Sequence, residues 1–212
     1  MKIQQLIDQH LKQEGERQYT GKIGASCLGQ CYRRTFWQIK REPQSNPPDE
    51  RSLRIFHCGN LFHDFVQSFL KDYQVEQAYT DDTLSIRVDA VGEDEVVEIK
   101  SMHSRGFWYM DKELKEKSIK DVKPQHWMQV MCGALCFKKP FAHLVYVSKD
   151  DLCIKEFKIS VSPEAKEAVE GEIAKIKDTL DKNLLPPALP RLYNGKECSY
   201  CSWKDKCKGE GK

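Results

Sequence analysis

The chain has 212 residues, 34 Lys and Arg against 32 Asp and Glu, and 40% hydrophobic residues. That length supports one domain with a proper core, or one domain with an appendage, and the near-zero net charge excludes nucleic-acid binding through bulk charge, leaving only a local basic lining. No apolar run approaches the ~18 residues of a membrane span and the N-terminus carries no apolar signal stretch, so a soluble, cytoplasmic protein with no membrane partner is expected.

Nine cysteines is a high count. An odd, unevenly clustered set without a secretory signal argues for metal ligation plus a few buried thiols rather than a disulfide framework.

In chain order, Ile3, Leu6, Ile7 and Leu11 recur at helical spacing and predict a short amphipathic helix. A Gly-containing loop at 21–25 leads to Ser26 as N-cap of a helix carrying Leu28, Cys31, Tyr32, Thr35, Phe36 and Ile39 on one side. Three prolines make 41–52 a loop with freedom to move. From about Leu53 to Tyr73, Leu61, Phe62, Phe65, Val66, Phe69 and Leu70 form the stripe of a strongly amphipathic helix, with His63 at its flank. Residues 74–80 read as a strand.

Residues 84–101 read as a β-hairpin. Leu84, Ile86, Val88 and Ala90 fall on one face at period two, with Val97 and Ile99 beside them, while Arg87, Asp89, Glu98 and Lys100 share the other. A turn centred on Glu93 and Asp94 places Asp89 opposite Glu98, and Arg87 opposite Lys100. Like charges so placed cost about 0.2–1 kcal/mol unless a cation sits between the carboxylates, and a divalent metal is the obvious one. The competing reading is a solvated surface hairpin.

The stretch 101–122 sets Lys and Arg among Phe107, Trp108 and Tyr109, lining a groove or covering the sheet. Pro124 begins a helix on which His126 and Gln129 share a face. A second hairpin spans 141–148 and 152–159. Ser162 and Pro163 start a charged helix reaching about Asn183, followed by a Leu- and Pro-rich linker at 184–190 and a tail with Cys198, Cys201 and Cys207. Cys58, Cys132, Cys136 and Cys153 read as buried thiols. The organisation is therefore an N-terminal helical segment (1–52), a core (53–160) and a C-terminal helix, linker and cysteine tail (161–212).

The order αβββαβ, with Asp89 and then Glu98-Ile99-Lys100 on the central hairpin, resembles the PD-(D/E)XK nuclease superfamily, with its α/β restriction-endonuclease-like core. His63 on the preceding helix and Gln129 on the following one resemble its RecB-type branch, which includes the CRISPR-associated Cas-four exonucleases and their phage and archaeal relatives. The run Glu98-Ile-Lys-Ser-Met-His-Ser-Arg-Gly-Phe107 looks especially like the phage-type members. Gly133 departs from the pattern where the branch often has Tyr, which leaves Gln125 as a rival to Gln129. Cys31, in Cys-Tyr-Arg-Arg-Thr-Phe-Trp, together with Cys198, Cys201 and Cys207 is similar to the family's four-cysteine iron-sulfur site. Four soft thiolates suit a 4Fe-4S cluster or zinc, and Cys27 competes with Cys31 as the fourth ligand.

The resemblance implies a metal-dependent DNA exonuclease acting on single-stranded ends, 5'-to-3' by analogy, in repair or recombination, phage replication or CRISPR adaptation, beside a helicase, recombinase or CRISPR integration protein. Asp89, Glu98, the Ile99 carbonyl and His63 would hold Mg2+ or Mn2+. Lys100 would orient or deprotonate the attacking water, and Gln129 would position Lys100 or the DNA backbone. Arg33, Arg34, Arg87 and Arg105 are candidates for phosphate contacts, and Phe107, Trp108, Tyr109 and Trp127 for base stacking. The alternative is a non-catalytic iron-sulfur module that binds nucleic acid or joins a complex.

Overall fold

The computed structural model describes residues 2–14 and 20–210. Helix α1 (Lys2–Glu14) lies on α3 (Glu50–Gln67), joined by Lys12 to Glu50 at 2.7 Å and by Arg54 to Asp8. The N-cap of α3 is Asp49, which accepts the Ser52 N–H at 2.8 Å, so the helix begins earlier than its apolar pattern alone predicts. Five strands follow: β1 (Gln74–Thr80), β2 (Ser85–Val91), β3 (Glu95–Met102), then β4 (Phe141–Ser148) and β5 (Ile154–Ser160) after a helical crossover. Their order in the sheet is sequential. Among the five strands only β3 and β4 pair in parallel, which requires the long crossover between them.

That crossover contains α4 (Ser104–Glu113), α5 (Ile119–Val122) and α6 (Pro124–Cys136). The mixed polar and aromatic pattern of 101–122 carries no helix signal of its own. His103 supplies the missing start signal: its ring nitrogen accepts the Gly106 N–H at 3.0 Å, a capping role outside the usual Ser, Thr, Asp and Asn set. Phe107 and Met110 then bury one side of α4.

The sheet is covered on both faces. Ile86, Val88, Val96, Leu144 and Tyr146 pack against α6 through Val130, Met131 and Ala134, whereas Ala90, Val97, Ile99 and Val145 pack against Val66, Leu70 and Tyr73 from α3 and the segment after it. A hairpin with one solvated face is therefore corrected, and Glu98 is only 2% exposed. Leu61, Phe65 and Phe69 of the predicted α3 stripe face outward instead.

N-terminal to α3, the predicted helix from Ser26 is broken into a 3-10 turn (Ala25–Cys27) and α2 (Tyr32–Ile39). Gly29 explains the break. Its φ of +72° is the left-handed region, and a Cβ there would stand 3.1 Å from the Gln125 backbone of α6. Helix α7 (Pro163–Asp181) starts at Ser162, whose hydroxyl accepts the Ala165 N–H at 3.2 Å, and α8 (Lys204–Gly209) ends the described tail. The proline loop expected to move is tied to that tail: the Asn46 N–H donates to the Ser202 carbonyl at 2.8 Å, and the Trp203 indole N–H donates to the Glu42 carbonyl at 3.1 Å. Among the described residues, no helix is long and apolar enough to cross a membrane.

Candidate active site

The site forms where β2 and β3 part. Their turn falls at Glu93 and Asp94, closed by the Gly92 N–H on the Glu95 carbonyl at 2.8 Å, and the ladder runs through Val91–Val96 and Ala90–Val97. That is the predicted register. The ladder then stops, because β3 keeps its pairing with β4 along its whole length while β2 stays with β1. Arg87 and Lys100 consequently do not form a ladder pair.

Asp89 sits at the head of this wedge, 9% exposed. One carboxylate oxygen accepts the Ile99 backbone N–H at 2.6 Å, taking the place of a strand carbonyl. The other lies 3.2 Å from His63 Nδ1. The Asp89 carbonyl, in turn, accepts Gln67 Nε2 at 2.9 Å. His63 and Gln67 are four residues apart on α3, so one helical face delivers both to the same residue. Opposite Asp89 on β1, Glu76 adopts a left-handed φ of 52° and interrupts the β1–β2 register. Side-chain alternation slips at this point: Val88 and Val91 both face α6, whereas Ala90 faces α3. The period-two expectation fails at the residue of most chemical interest.

Glu98 and Lys100 point toward α6. Glu98 Oε1 accepts both Lys100 Nζ at 2.5 Å and Gln129 Nε2 at 2.6 Å. Burial drives the Glu98 carboxyl up to about 7, with the Asp89 charge pushing the same way against the opposing effect of Lys100. Burial works to lower His63, yet its hydrogen bond and charge interaction with Asp89 outweigh it and the imidazole is raised. His126 is pushed far down by burial and by Lys100, and its Nδ1 lies 2.8 Å from the Tyr146 hydroxyl.

Between the two glutamines, Gln129 is the one that touches Glu98, and Gly133 explains the departure at that position. A Cβ on Gly133 would meet Val88 at 2.7 Å and Val96 at 3.3 Å, so the sheet leaves no room for a larger residue there. Gln125 is instead buried on the wall of a cleft of about 200 Å³ that opens beside Lys100 and Gln129 and reaches Gln30 and Arg34. Gly29 makes this cleft possible by bringing its neighbours against α6.

The other candidate residues are scattered. Arg33 is corrected as a phosphate contact: it is 7% exposed, its Nε donates to the Pro186 carbonyl at 2.7 Å, and its Nη1 lies 3.7 Å from Cys207 Sγ. Arg87 is exposed and lies 3.6 Å from Glu76, and Arg105 lies over the Tyr109 ring on α4. Phe107 and Trp127 are core residues, while Trp108 and Tyr109 are exposed. Cys132 is in the core as expected, but Cys58 and Cys153 are exposed thiols rather than buried ones.

Cys31 stands at the N-cap position of α2, and Cys198, Cys201 and Cys207 come back to it on the tail, which Trp203 seals against Phe36 and Trp37. Burial raises the Cys198 and Cys201 thiols, and each is raised further by charge interaction with Cys31 and Cys207. Cys27 lies in the core. Among the described residues, no three His, Cys, Asp or Glu side chains are already gathered into a metal-ligand arrangement, so an ion or cluster would have to draw its ligands together.

No family model and no curated protein matches the sequence. Solved structures do match in three dimensions. A protein named SSO0001 is 20% identical with a TM-score of 0.60, over 98% of this chain and 96% of that one. The alkaline exonuclease of Laribacter hongkongensis in complex with dAMP is 15% identical with a TM-score of 0.55, over 77% of this chain and 89% of that one. A phage-related exonuclease from Haemophilus somnus 129PT is 8% identical with a TM-score of 0.50, over 72% and 80% of the two chains. The chain has an exonuclease-like fold. At these identities the fold alone is shared, and its likeness to SSO0001 extends through the cysteine tail.

Gln67, Tyr200 and Gln30 were missed by sequence reasoning. Gln67 had a signal, its spacing of four from His63. The other two reach the site only through the tertiary fold.

Proposed function

We propose that the chain is a metal-dependent DNA exonuclease. The observation that carries this reading is the convergence of two buried carboxylates, Asp89 and Glu98, with Lys100 between Glu98 and the cleft. A carboxyl pushed to about 7 beside a second carboxylate is short of positive charge. Hard oxygen donors of this kind fit Mg2+ or Mn2+, so the residues present suit the ion that the fold implies. Asp89, Glu98, the Ile99 carbonyl and His63 would hold it. When bound, such an ion supplies charge compensation for the phosphate and a more acidic water.

The chain's own residues do the rest. Lys100 Nζ stands where it can orient a water and meet phosphate charge, and Gln129 fixes Glu98 so that Lys100 keeps its position. The Ile99 N–H and His63 fix the Asp89 carboxylate, and Gln67 fixes the Asp89 backbone carbonyl. Single-stranded ends and 5'-to-3' cutting belong to the same reading, as do roles in repair, phage replication or CRISPR adaptation. The dAMP complex of the alkaline exonuclease supports a nucleotide product for this fold.

Cys31, Cys198, Cys201 and Cys207 are proposed to hold a 4Fe-4S cluster, with zinc as the alternative; their mutual charge interactions support this. Protein purified without oxygen is expected to absorb broadly near ~400 nm and Cys201→Ser to lose that band; a colourless, zinc-containing wild type would replace the cluster with zinc. Activity is tested with linear DNA labelled at either end, in Mg2+ or Mn2+, comparing wild type with Lys100→Ala. Release of label by wild type alone supports the reading and gives the polarity. Folded wild type that cuts no DNA form would leave a binding module instead.

A further inference from the structure

The tail does more than close over α2. Leu192, Glu197 and Tyr200 line the same cleft as Lys100 and Gln129. Leu192 and Glu197 are buried there, yet the Tyr200 ring is 83% exposed, more than any other large apolar or aromatic side chain described. Two further groups on the cleft wall are unfinished. Arg34 Nε is buried without a hydrogen-bond partner, and Glu197, which accepts the Arg191 N–H through Oε1 at 2.6 Å, has its Oε2 buried and unpartnered. Buried donors and acceptors are nearly always paired, so a donor and an acceptor both left open beside a cleft point to a ligand carrying the complementary groups.

A lone anion would satisfy Arg34 and repel Glu197. A nucleotide satisfies both, because its phosphate accepts from Arg34 while an N–H on the base edge donates to Glu197, and its π-face matches the exposed ring of Tyr200. A base whose face lies on Tyr200 has left the duplex stack, so it is an unpaired one that this arrangement takes. We infer that α2 and the cysteine tail form a subsite for one unpaired nucleotide beside the catalytic cleft, with Arg34 on a phosphate, Glu197 on the base edge and Tyr200 stacked on the base. The inference rests on the nuclease reading and names the part of the substrate that the tail holds. It also gives the cysteine site a second duty, since the turn presenting Tyr200 lies between Cys198 and Cys201.

The test is fluorescence anisotropy of labelled oligonucleotides with Ca2+ in place of Mg2+ or Mn2+, using single strands, a blunt duplex, and single strands phosphorylated at the 5' or the 3' end. Tyr200→Ala is expected to weaken single-strand binding roughly 5- to 150-fold, the weight of one base–aromatic stack, with duplex binding unchanged and Tyr200→Phe close to wild type. Arg34→Lys keeps the charge but not the Nε–H and is expected to weaken single strands too. If it also abolishes an advantage of one phosphorylated end, the phosphate held is a terminal one; an equal loss on all single strands assigns it to the internal backbone. Tyr200 is exposed, so its variants should melt with wild type. Single-strand binding by Tyr200→Ala equal to wild type, or lost in parallel with duplex binding, overturns the subsite. Cleavage separates the two ideas: a wild type that cuts DNA while Tyr200→Ala binds normally leaves the nuclease reading standing without the subsite. A wild type that cuts nothing while Tyr200→Ala selectively loses single strands leaves the subsite without the nuclease.

Discussion

Glu98 and Glu172 are both buried, and the fold treats them oppositely. Glu172 on α7 is 4% exposed and is completely served: the Gly29 N–H donates to it at 3.0 Å, the Tyr32 hydroxyl at 2.8 Å, and Arg191 pairs with both its oxygens. Burial pushes Glu172 up, but these partners overcome it and the carboxyl ends below its ordinary value. Glu98 is equally buried, has two donors crowded on one oxygen and the Asp89 charge nearby, and ends at about 7. The first arrangement holds α2, α7 and the linker together. The second is unfavourable as it stands and becomes favourable when positive charge arrives, which is the physical difference between a structural carboxylate and a ligand.

The largest effect expected from that contrast is on catalysis. Glu98→Gln and Lys100→Ala should each reduce DNA cleavage by roughly 10³-fold or more, while the melting temperature of the metal-free Glu98→Gln protein at pH 8 holds or rises. A fall in melting temperature for Glu98→Gln would make Glu98 a second structural glutamate. Glu172→Gln should do the reverse. Removing one side of its pair with Arg191 is expected to cost about 3 kcal/mol in chemical denaturation, with cleavage by the remaining folded protein preserved.

The pH dependence follows with opposite signs. Glu98 is raised from its ordinary 4.5 to about 7, so metal-free protein loses stability as pH climbs between those values, and Glu98→Gln should flatten that part of the profile. Glu172 is lowered from the same 4.5, so its contribution is present above that pH and disappears as pH falls below it. His63, raised from 6.5, contributes stability that is present below 6.5 and lost as pH rises through its folded value, and that portion should persist in Glu98→Gln. Urea unfolding from pH 4 to 9 measures all three, and a Glu98→Gln profile parallel to wild type would remove Glu98 from the account. The smallest effect is expected for Tyr32→Phe, which takes one donor from Glu172: about 1 kcal/mol of stability and no change in cleavage.

Much of this was legible in the sequence where local signals sufficed. The turn at Glu93 and Asp94 fixed the register that brings Asp89 toward Glu98, Pro124 and Ser162 marked the starts of α6 and α7, and residues 74–80 formed the expected strand β1. What escaped notice depended on neighbours distant in sequence. The face switch at Asp89 arises because Gln67 and the left-handed Glu76 take over part of the ladder, and no alternation pattern encodes that. Arg33 read as a surface cation because its burial comes from Pro186 and Cys207 at the far end of the chain. Gln129 is separated from Gln125 by its contact with Glu98 across 31 residues of chain, and the glycine at 133 is explained by Val88 and Val96 beneath it.

The parallel pairing of β3 with β4 also bears on how the site comes into being. Glu98 and Lys100 sit on a strand that shares just two ladder pairs with its sequence neighbour β2 and draws the rest from a strand beyond the whole α4–α6 crossover. Closing that long loop is an entropic cost met before the contacts reward it. A chain leaving the ribosome can therefore form the β1–β2 meander early, but its two carboxylates and lysine come together only after β4 has been made and docked. Nascent fragments ending before Phe141 are expected to be inert, and the proposed active site to be among the last parts of the molecule to mature.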